Sequence, residues 1–457
     1  MPPSEGSPKQ IIVFGLCVWA GACVSTAFSQ SYWMILISCM FVGVGEAAYA
    51  GYTVTIIDNM APPKSRTLGI GTFYSMIPVG TAVGLTGGGI LSKLASNGSI
   101  PGWRLVFATE ILPMLPIIVF NELLPKKYNP VRAVAKKEES EEAPEEQHRL
   151  NDSIAEEGAV APLGEAASLD DFVTLPKAVK LLAGNLNYVL LVFGYAMYTF
   201  VLGAIAVWAI QMLEQGPLHM EVITASVFMG GATAITGLLG SVCGGLFVDK
   251  MGGSKGLSGV VQCQKYMVTV MCLSIPCGAA AFLCTSLPLF ACFFTVGVFL
   301  LFSVTAPINS AILSTVPLSL RTYGISFSVF FIHMLGDFPS PIIAGVISDK
   351  FSGGCDQLST SSNATCSLHT DCRWIPAKKG ENASCVNIYQ LRNAMLCVWC
   401  VMILAVPAWA TVGIRASRQL KKEQEEAELR TVVDGPSAGV GVISGSLESP
   451  MDTLKTK

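Results

Sequence analysis

The residue best placed to carry out chemistry is Glu46, in the middle of the apolar stretch FVGVGEAAYAGY. A charged side chain inside a membrane span costs free energy, so such residues are candidates for function. Apolar surroundings favour the neutral form of a carboxylate, and Glu46 could therefore bind and release a proton. The alternative is a carboxylate that neighbouring donors hold for helix packing alone.

His333 and Asp337, in SVFFIHMLGDFPSP, form a second candidate. They are four residues apart, so on a helix they share one face and can form a hydrogen bond or an ion pair. A histidine beside a carboxylate in a dry span suits reversible protonation, although a purely structural pair fits the spacing equally well. One histidine and one aspartate are too few ligands for a metal site, and we predict none.

Neutral polar residues and glycines mark further positions in the apolar segments. Asn309 and Gln211 could face a cavity, or they could hold helices together by hydrogen bonds. The segment IPVGTAVGLTGGG has a glycine at every fourth position, which predicts a flat helix face for either a moving or a rigid interface. The residues of this predicted packing face are Pro78, Gly80, Gly84 and Gly88.

The composition places these residues in a membrane. Of the 457 residues, 51% are apolar and only 13% are charged, whereas soluble domains carry about 25% charged residues. The net charge of −3 gives no reason to expect a nucleic-acid partner. A window of roughly 20 apolar residues, the length that crosses the hydrocarbon core, selects ten segments: 11–29, 32–57, 68–92, 104–124, 187–213, 222–248, 265–284, 288–316, 322–348 and 391–413.

These segments predict an all-α polytopic membrane protein with two helical halves of four and six spans. We expect an N-terminal transmembrane half at 1–124 and a six-helix half at 183–414, which contains a lumenal loop at 349–390. The linker at 125–182 contains KKEESEEAPEEQ and is too polar to fold alone. The tail at 415–457 begins with a charged stretch that can continue the last helix at the membrane surface.

The short loops that carry most of the lysines and arginines fall on one side of the membrane if the spans alternate. That side, with both termini, the linker and the tail, is expected to be cytosolic. The sequons at Asn97, Asn363 and Asn382 then lie on the opposite side, where glycosylation takes place. Such a protein could reside in the plasma membrane or in an endolysosomal or vacuolar membrane.

The loop at 349–390 contains Cys355, Cys366, Cys372 and Cys385. An even number of cysteines in an oxidising compartment favours two disulfides over a metal site. Three pairings are possible, and four free thiols are the alternative.

The chain contains no GxSxG, HExxH or Walker A sequence, and its four histidines are scattered. We therefore predict neither an enzyme nor a bound cofactor, and no catalytic residues.

The segment GGLFVDKMGG resembles the loop pattern G-x-x-x-D-[RK]-x-G of the major facilitator superfamily, in which a carboxylate and a base gate the motion between helices. The matching residues are Gly245, Asp249, Lys250 and Gly252. They follow the second span after the linker, where the second half of that family repeats the pattern.

Two longer blocks resemble the Spinster branch of this superfamily. The first is VGVGEA with the following loop and a span containing IPVG, and the second is HMLGDFPSPIIAGVISDK. The resemblance implies twelve helices in two halves of six, a central cavity and alternating access. It also implies a small amphipathic solute such as a sphingolipid or lysophospholipid, proton coupling, and a monomer. By the same resemblance, Glu46 is the acidic site of the first half, and His333 and Asp337 line or brace the second half.

The chain departs from the Spinster pattern in two places. The two spans that precede the segment starting at Ile11 in the family are not in this sequence, which suggests a truncated gene model or a degenerate carrier. Cys39 occupies the position, seven residues before Glu46, where the branch has an arginine. The hypothesis is a secondary transporter; the alternative is a non-transporting receptor or scaffold that retains the carrier fold.

Overall fold

The structure of the protein is a computed structural model that describes residues 8–95, 101–123, 174–355, 366, 370–375 and 383–433. Ten helices in this part of the chain are long and apolar enough to cross a membrane. The predicted all-α polytopic fold is thus confirmed. The described residues add one short antiparallel hairpin, formed by strands β1 (Cys372–Ile375) and β2 (Ser384–Asn387).

The first half consists of four helices: α1 (Pro8–Ala27), α2 (Tyr32–Met60), α3 (Arg66–Ala95) and α4 (Gly102–Leu123). Helix α2 begins after Ser31, whose side chain accepts a hydrogen bond from the Met34 amide. Helices α1 and α2 touch at Gly45, where a methyl group would lie 2.7 Å from the Gly15 carbonyl oxygen. Glycine at this position is what lets the two helices approach so closely.

The second half contains the remaining helices and most of the buried core, which is rich in aromatic rings such as Trp399, Trp409 and Phe282. Its helices are α5 (Leu175–Gly184), α6 (Leu186–Gln215), α7 (Val222–Lys250), α8 (Gly256–Leu283), α9 (Leu287–Ser303), α10 (Thr305–Thr315), α11 (Arg321–Ile332), α12 (Ser340–Lys350), α13 (Gln390–Cys400) and α14 (Ala405–Val433).

Three predicted spans of this half are broken inside the membrane. The segment 288–316 divides into α9 and α10 at Val304, because Pro307 cannot donate a hydrogen bond to the carbonyl of Ser303. The segment 322–348 contains a π-helical turn from His333 to Asp337 between α11 and α12. A 3₁₀ turn at Val401–Leu404 separates α13 from α14.

The prediction that 125–182 is a linker without a fold of its own is wrong at the C-terminal end, where Leu175–Gly184 forms helix α5. The sequence LPKAVKLL places Ala178 and Leu182 on one buried face, and a proline near the start suits the first helical turn. The rest of the linker, residues 125–173, lies outside the described residues. The charged start of the tail continues α14 as far as Val433.

The two halves pack along α3 and α7. A methyl group at Gly71 would lie 2.6 Å from the Ser241 carbonyl oxygen, and Gly237 lies directly against Pro78. Of the predicted packing face of α3, Pro78 contacts α7, whereas Gly80 and Gly84 have no described atom within 4 Å of an added methyl group. Gly71, Pro78 and Ala82 lie on the face of α3 that contacts α7. Gly80 and Gly84 each follow a residue of this face by two positions and therefore point away from α7. Gly88 lies beside Val106 of α4.

Candidate transport site and gate

Helix α2 of the first half meets helix α11 of the second half at Gly51. A methyl group there would lie 2.6 Å from the Ser326 hydroxyl oxygen, so glycine at residue 51 leaves room for this close approach. Five residues before this contact on α2 is Glu46, and seven residues after it on the opposing segment is His333. The crossing therefore brings the polar residues of both halves together.

Glu46 lies within electrostatic range of His333 across the boundary between the halves. It is exposed in the described chain, and the Tyr49 hydroxyl, about one turn further on, lies in range of the same carboxylate. The two ionisable candidates, which the sequence could locate only on separate helices, are thus within electrostatic range of each other.

His333 Nδ1 and Asp337 Oδ2 are 2.8 Å apart. Their side chains are 52% and 35% exposed, so the pair is accessible and not sealed within a helix interface. The pair forms the two ends of the π-helical turn, a distortion that often occurs at functional sites. Asp337 Oδ1 has no hydrogen-bond partner among the described residues although that atom is buried.

Helix α6 holds the π-helical turn in place. A methyl group at Gly336 would lie 2.7 Å from the Ala196 carbonyl oxygen, and one at Gly203 would lie 2.5 Å from the Asp337 Cβ. Thr199 Oγ1 donates to the Ile332 carbonyl at 2.9 Å, just before the turn. Close glycine contacts and this hydrogen bond fix the backbone that carries His333 and Asp337.

The two neutral cavity candidates lie in different places. Asn309 is buried and donates to the Tyr195 hydroxyl at 3.2 Å and to the Thr305 carbonyl at 2.8 Å. Tyr195 is itself within electrostatic range of Asp337. Asn309 therefore contacts the site indirectly, through its hydrogen bond to Tyr195. Gln211 lies 16 residues beyond Tyr195 on α6, about 24 Å along the helix, and it pairs with Gln215 at 3.2 Å.

The predicted gating residues bind the start of α3. Asp249 accepts hydrogen bonds from the backbone amides of Thr67 at 3.2 Å and Leu68 at 2.9 Å. A carboxylate at a helix N-terminus satisfies amides that lack partners within the helix and matches the helix dipole. Gly245 lets α7 approach, since a methyl group there would lie 2.7 Å from the Thr67 carbonyl oxygen.

The other two residues of the motif, Lys250 and Gly252, lie where helix α7 ends. Gly252 has a φ of +121°, a conformation that favours glycine. Lys250 is the last residue of α7 and is exposed.

A buried ion cluster that was not predicted from the sequence lies beside this motif. Asp58, at the end of α2, forms an ion pair with Arg66, and both side chains are 1% exposed. Arg321 of the second half also binds Asp58, with 3.1 Å between Nη1 and Oδ2. A charged residue next to the end of the predicted span 32–57 is the available signal, but Asp58 and Arg321 are 263 residues apart in sequence.

Arg66 also crosses to the second half. Its Nη1 donates to the Ser254 carbonyl and to the Ser314 hydroxyl, each at 2.9 Å. With Asp58, Arg321 and the Asp249 contacts, these bonds join the halves at one end of the bundle. We call Asp58, Arg66, Ser254, Ser314 and Arg321 the ion cluster.

The cysteine-rich loop lies at the opposite end of the bundle. Its disulfides join Cys355 to Cys372 and Cys366 to Cys385, which is one of the three pairings that the sequence allows. The sequons Asn97, Asn363 and Asn382 lie outside the described residues. Among the described residues, no group of three or more histidine, cysteine or acidic side chains could hold a metal ion.

Two packed helical halves, joined at one end by ion pairs and with ionisable residues facing each other further along, define a polytopic membrane protein of the carrier class. The family model of the Major Facilitator Superfamily matches residues 6–341. The chain belongs to the Major Facilitator Superfamily.

Curated relatives confirm the resemblance to the Spinster branch. The chain is 30% identical over 344 residues to the probable sphingolipid transporter spinster homolog 2 of Arabidopsis thaliana, an alignment that covers 75% of this chain and 64% of that protein. It is 25% identical over 362 residues to the sphingosine-1-phosphate transporter SPNS2 of Danio rerio, covering 75% of this chain and 63% of that protein. The chain thus spans less than two thirds of the length of these relatives. They are transporters by name and not enzymes.

The fold is similar to that of a solved bacterial homolog to the human lysosomal transporter Spinster, in an inward-facing and unoccupied conformation. The TM-score is 0.56 at 17% sequence identity, and the alignment covers 91% of this chain and 85% of that chain. This similarity concerns the fold.

Proposed function

We propose that this protein is a secondary transporter of a small amphipathic lipid, of sphingolipid or lysophospholipid type, that works by alternating access. The observation that carries the proposal is the position of the ion cluster relative to Glu46 and His333. The cluster holds the halves together at one end, while the ionisable residues lie further along the same boundary and are exposed. A carrier needs such an arrangement, with one end closed while the binding residues remain accessible from the other.

Lipid is the proposed substrate because the relatives named above are sphingolipid and sphingosine-1-phosphate transporters. The site fits a solute with a polar headgroup and an apolar tail. Glu46, His333 and Asp337 offer charge and hydrogen bonds, and apolar side chains such as Phe41, Val44 and Phe330 are exposed nearby on the same elements.

Proton coupling through the same three residues is part of the proposal. Glu46 and Asp337 belong to different halves, and His333 is in range of both. A proton taken up by any member of this group changes the charge balance across the boundary between the halves. Protonation would thereby favour one arrangement of the halves over another.

The proposed orientation places the ion cluster in the cytosol and the disulfide-bonded loop in the lumen or outside the cell. The rule that positive residues concentrate on the cytosolic side supports it. Disulfides also form on the non-cytosolic side. We propose a monomer in the plasma membrane or an endolysosomal or vacuolar membrane, with 1–124 and 183–414 as the moving halves and 125–174 and the tail in the cytosol.

The test is uptake by the full-length purified protein in liposomes. Two lipids labelled on the tail, a lysophosphatidylcholine and a long-chain sphingoid base, are each offered with and without a pH gradient. We expect uptake of at least one lipid above that of empty liposomes, and a faster rate with the gradient. Uptake equal to that of empty liposomes for both would contradict the proposal and favour the receptor or scaffold alternative. A rate that does not depend on the gradient would remove proton coupling alone.

A further inference from the structure

Among the described residues, the side chains of His219 and Arg373 join the turn between α6 and α7 to the disulfide-bonded loop. Arg373, in strand β1, contacts His219 of the turn through Nη1 and Nδ1. The backbone beyond the hairpin meets the same turn, since a methyl group at Gly216 would lie 3.6 Å from the Ile388 carbonyl oxygen. The hairpin and the turn are thus in contact at the end of the bundle that carries the disulfides.

The chemistry of the pair fixes the protonation state of the histidine. A guanidinium group can only donate hydrogen bonds and is always charged. His219 Nδ1 must therefore be an unprotonated acceptor in this contact. Protonation of the imidazole would place a hydrogen on Nδ1, remove the acceptor and set two positive charges against each other.

The environment of His219 favours its neutral form. Partial burial lowers the pKa of His219 below its usual value of 6.5, and the charge of Arg373 lowers the pKa further. The other charged residues described in the elements around the turn are Glu214 at the end of α6, Glu221 before α7, Asp371 before β1 and Arg392 in α13.

The backbone holds the ring of His219 in position. His219 has a φ of +48°, in the left-handed region that residues other than glycine rarely adopt. The turn that contains it is closed by a hydrogen bond of 2.9 Å from the Met220 amide to the Leu213 carbonyl. The turn thus sets the direction of the Cα–Cβ bond of His219, which carries the ring that contacts Arg373.

We propose that His219 and Arg373 form a pH-sensitive latch that holds the disulfide-bonded hairpin on the α6–α7 turn at neutral pH and releases it when the compartment facing the loop is acidified. The sign follows from the direction of the shift. The folded state binds the proton less readily than free histidine, so the contact is fully present above about pH 6.5. It is lost as the pH falls through the lowered pKa of His219.

The disulfides determine what the latch can move. Cys372 at the start of β1 is bonded to Cys355, which closely follows α12, and Cys385 in β2 is bonded to Cys366. These bonds persist at acidic pH, so protonation of His219 frees the hairpin from the turn without unfolding it.

Hydrogen exchange of the full-length protein in detergent, at pH 7.5 and pH 5.0, tests the latch. Rates are corrected for the intrinsic effect of pH. We expect peptides covering residues 216–221 and 370–375 to lose protection at pH 5.0, by about tenfold for each pH unit by which the contact lowers the pKa of His219. Equal protection at both pH values would overturn the proposal.

The matched variant is His219→Asn. Asparagine tolerates positive φ and its amide oxygen can accept from Arg373, but it does not titrate. The variant should keep its protection at both pH values, and a loss at pH 5.0 equal to that of the unmodified protein would also contradict the latch.

A second measurement does not depend on the stability of the asparagine variant. The chain has four histidines, and NMR of the isotopically labelled rings gives the midpoint of each. Arg373→Gln should raise the His219 midpoint toward the free value and leave the midpoint of His333 unchanged. An unchanged His219 midpoint would mean that Arg373 does not control the proton.

Discussion

Arg66 of the first half donates a hydrogen bond to the backbone carbonyl of Ser254 in the second half, at 2.9 Å. Ser254 lies in the turn between α7 and α8, close after Gly252 and Gly253, both of which have positive φ angles. The direction of the Ser254 carbonyl therefore depends on the glycine-containing end of the motif that also carries Asp249. The motif and the ion cluster form one connection between the halves.

Replacing Asp58 tests that connection. Asp58→Asn leaves two buried or partly buried guanidinium groups without their carboxylate, and removing one partner of a buried ion pair costs about 3–5 kcal/mol. We expect a loss of this size in the free energy of unfolding, measured by denaturant titration in mixed micelles. The control Asp349→Asn changes an exposed aspartate at the other end of the bundle and should alter stability by less than about 0.5 kcal/mol. Equal effects of the two variants would contradict a role for the ion cluster in holding the halves.

Glu46→Gln removes the first-half charge that acts on His333 while keeping the size of the side chain. If the proposed coupling is correct, the acceleration of lipid uptake by a pH gradient should be lost. Glu110→Gln is the matched control, because Glu110 is another carboxylate within a span but lies on α4. Uptake by Glu46→Gln with its full pH dependence would exclude the proposed role.

Gly203→Ala tests how tightly α6 holds the π-helical turn. The added methyl group would lie 2.5 Å from the Asp337 Cβ, and forcing atoms into a packed site costs about 1–3 kcal/mol. We expect this loss of stability together with a lower uptake rate. The control is Gly84→Ala, where the described residues leave space for the methyl group and alanine is the better helix former, by roughly 0.5–1 kcal/mol. The prediction fails if both alanines have the same effect on the unfolding free energy.

Cys366→Ser tests the disulfide-bonded loop. Loss of the bond to Cys385 should destabilise the loop by about 2–4 kcal/mol and increase its cleavage by proteases. Cys292→Ser, at an exposed free cysteine in α9, should leave the cleavage pattern unchanged. Mass mapping without reduction that finds four free loop thiols would rule out both disulfides.

Long apolar segments made the ten spans predictable, because crossing a membrane requires about 20 apolar residues whatever the tertiary contacts. The breaks within them were not predicted, although Pro307 is a sequence signal for one of them. The π-helical turn depends on packing against α6, which local sequence does not show. Helix α5 was missed because it is short and follows a polar linker, so its amphipathic pattern carried little weight. The His333–Asp337 contact follows from helical spacing alone.

The contact between halves was beyond sequence reasoning. Nothing in the local sequence of Glu46 indicates that His333 lies in range, and nothing near Asp58 indicates Arg321. The same holds for α3. Its glycines are regularly spaced in the sequence, but the face that contacts α7 is the one that contains Pro78.

Helix α14 passes from its apolar part into its charged part without a break, from Ala405 to Val433. A helix of this length extends about 43 Å, so its charged end is a rigid extension of the second half. Any tilt of that half must displace the far end of the rod by an amount that grows with its length. A small rotation of the second half inside the membrane would therefore produce a larger displacement of a spectroscopic label near Glu425. The distance from this label to a second label on the first half would report that rotation from the aqueous phase.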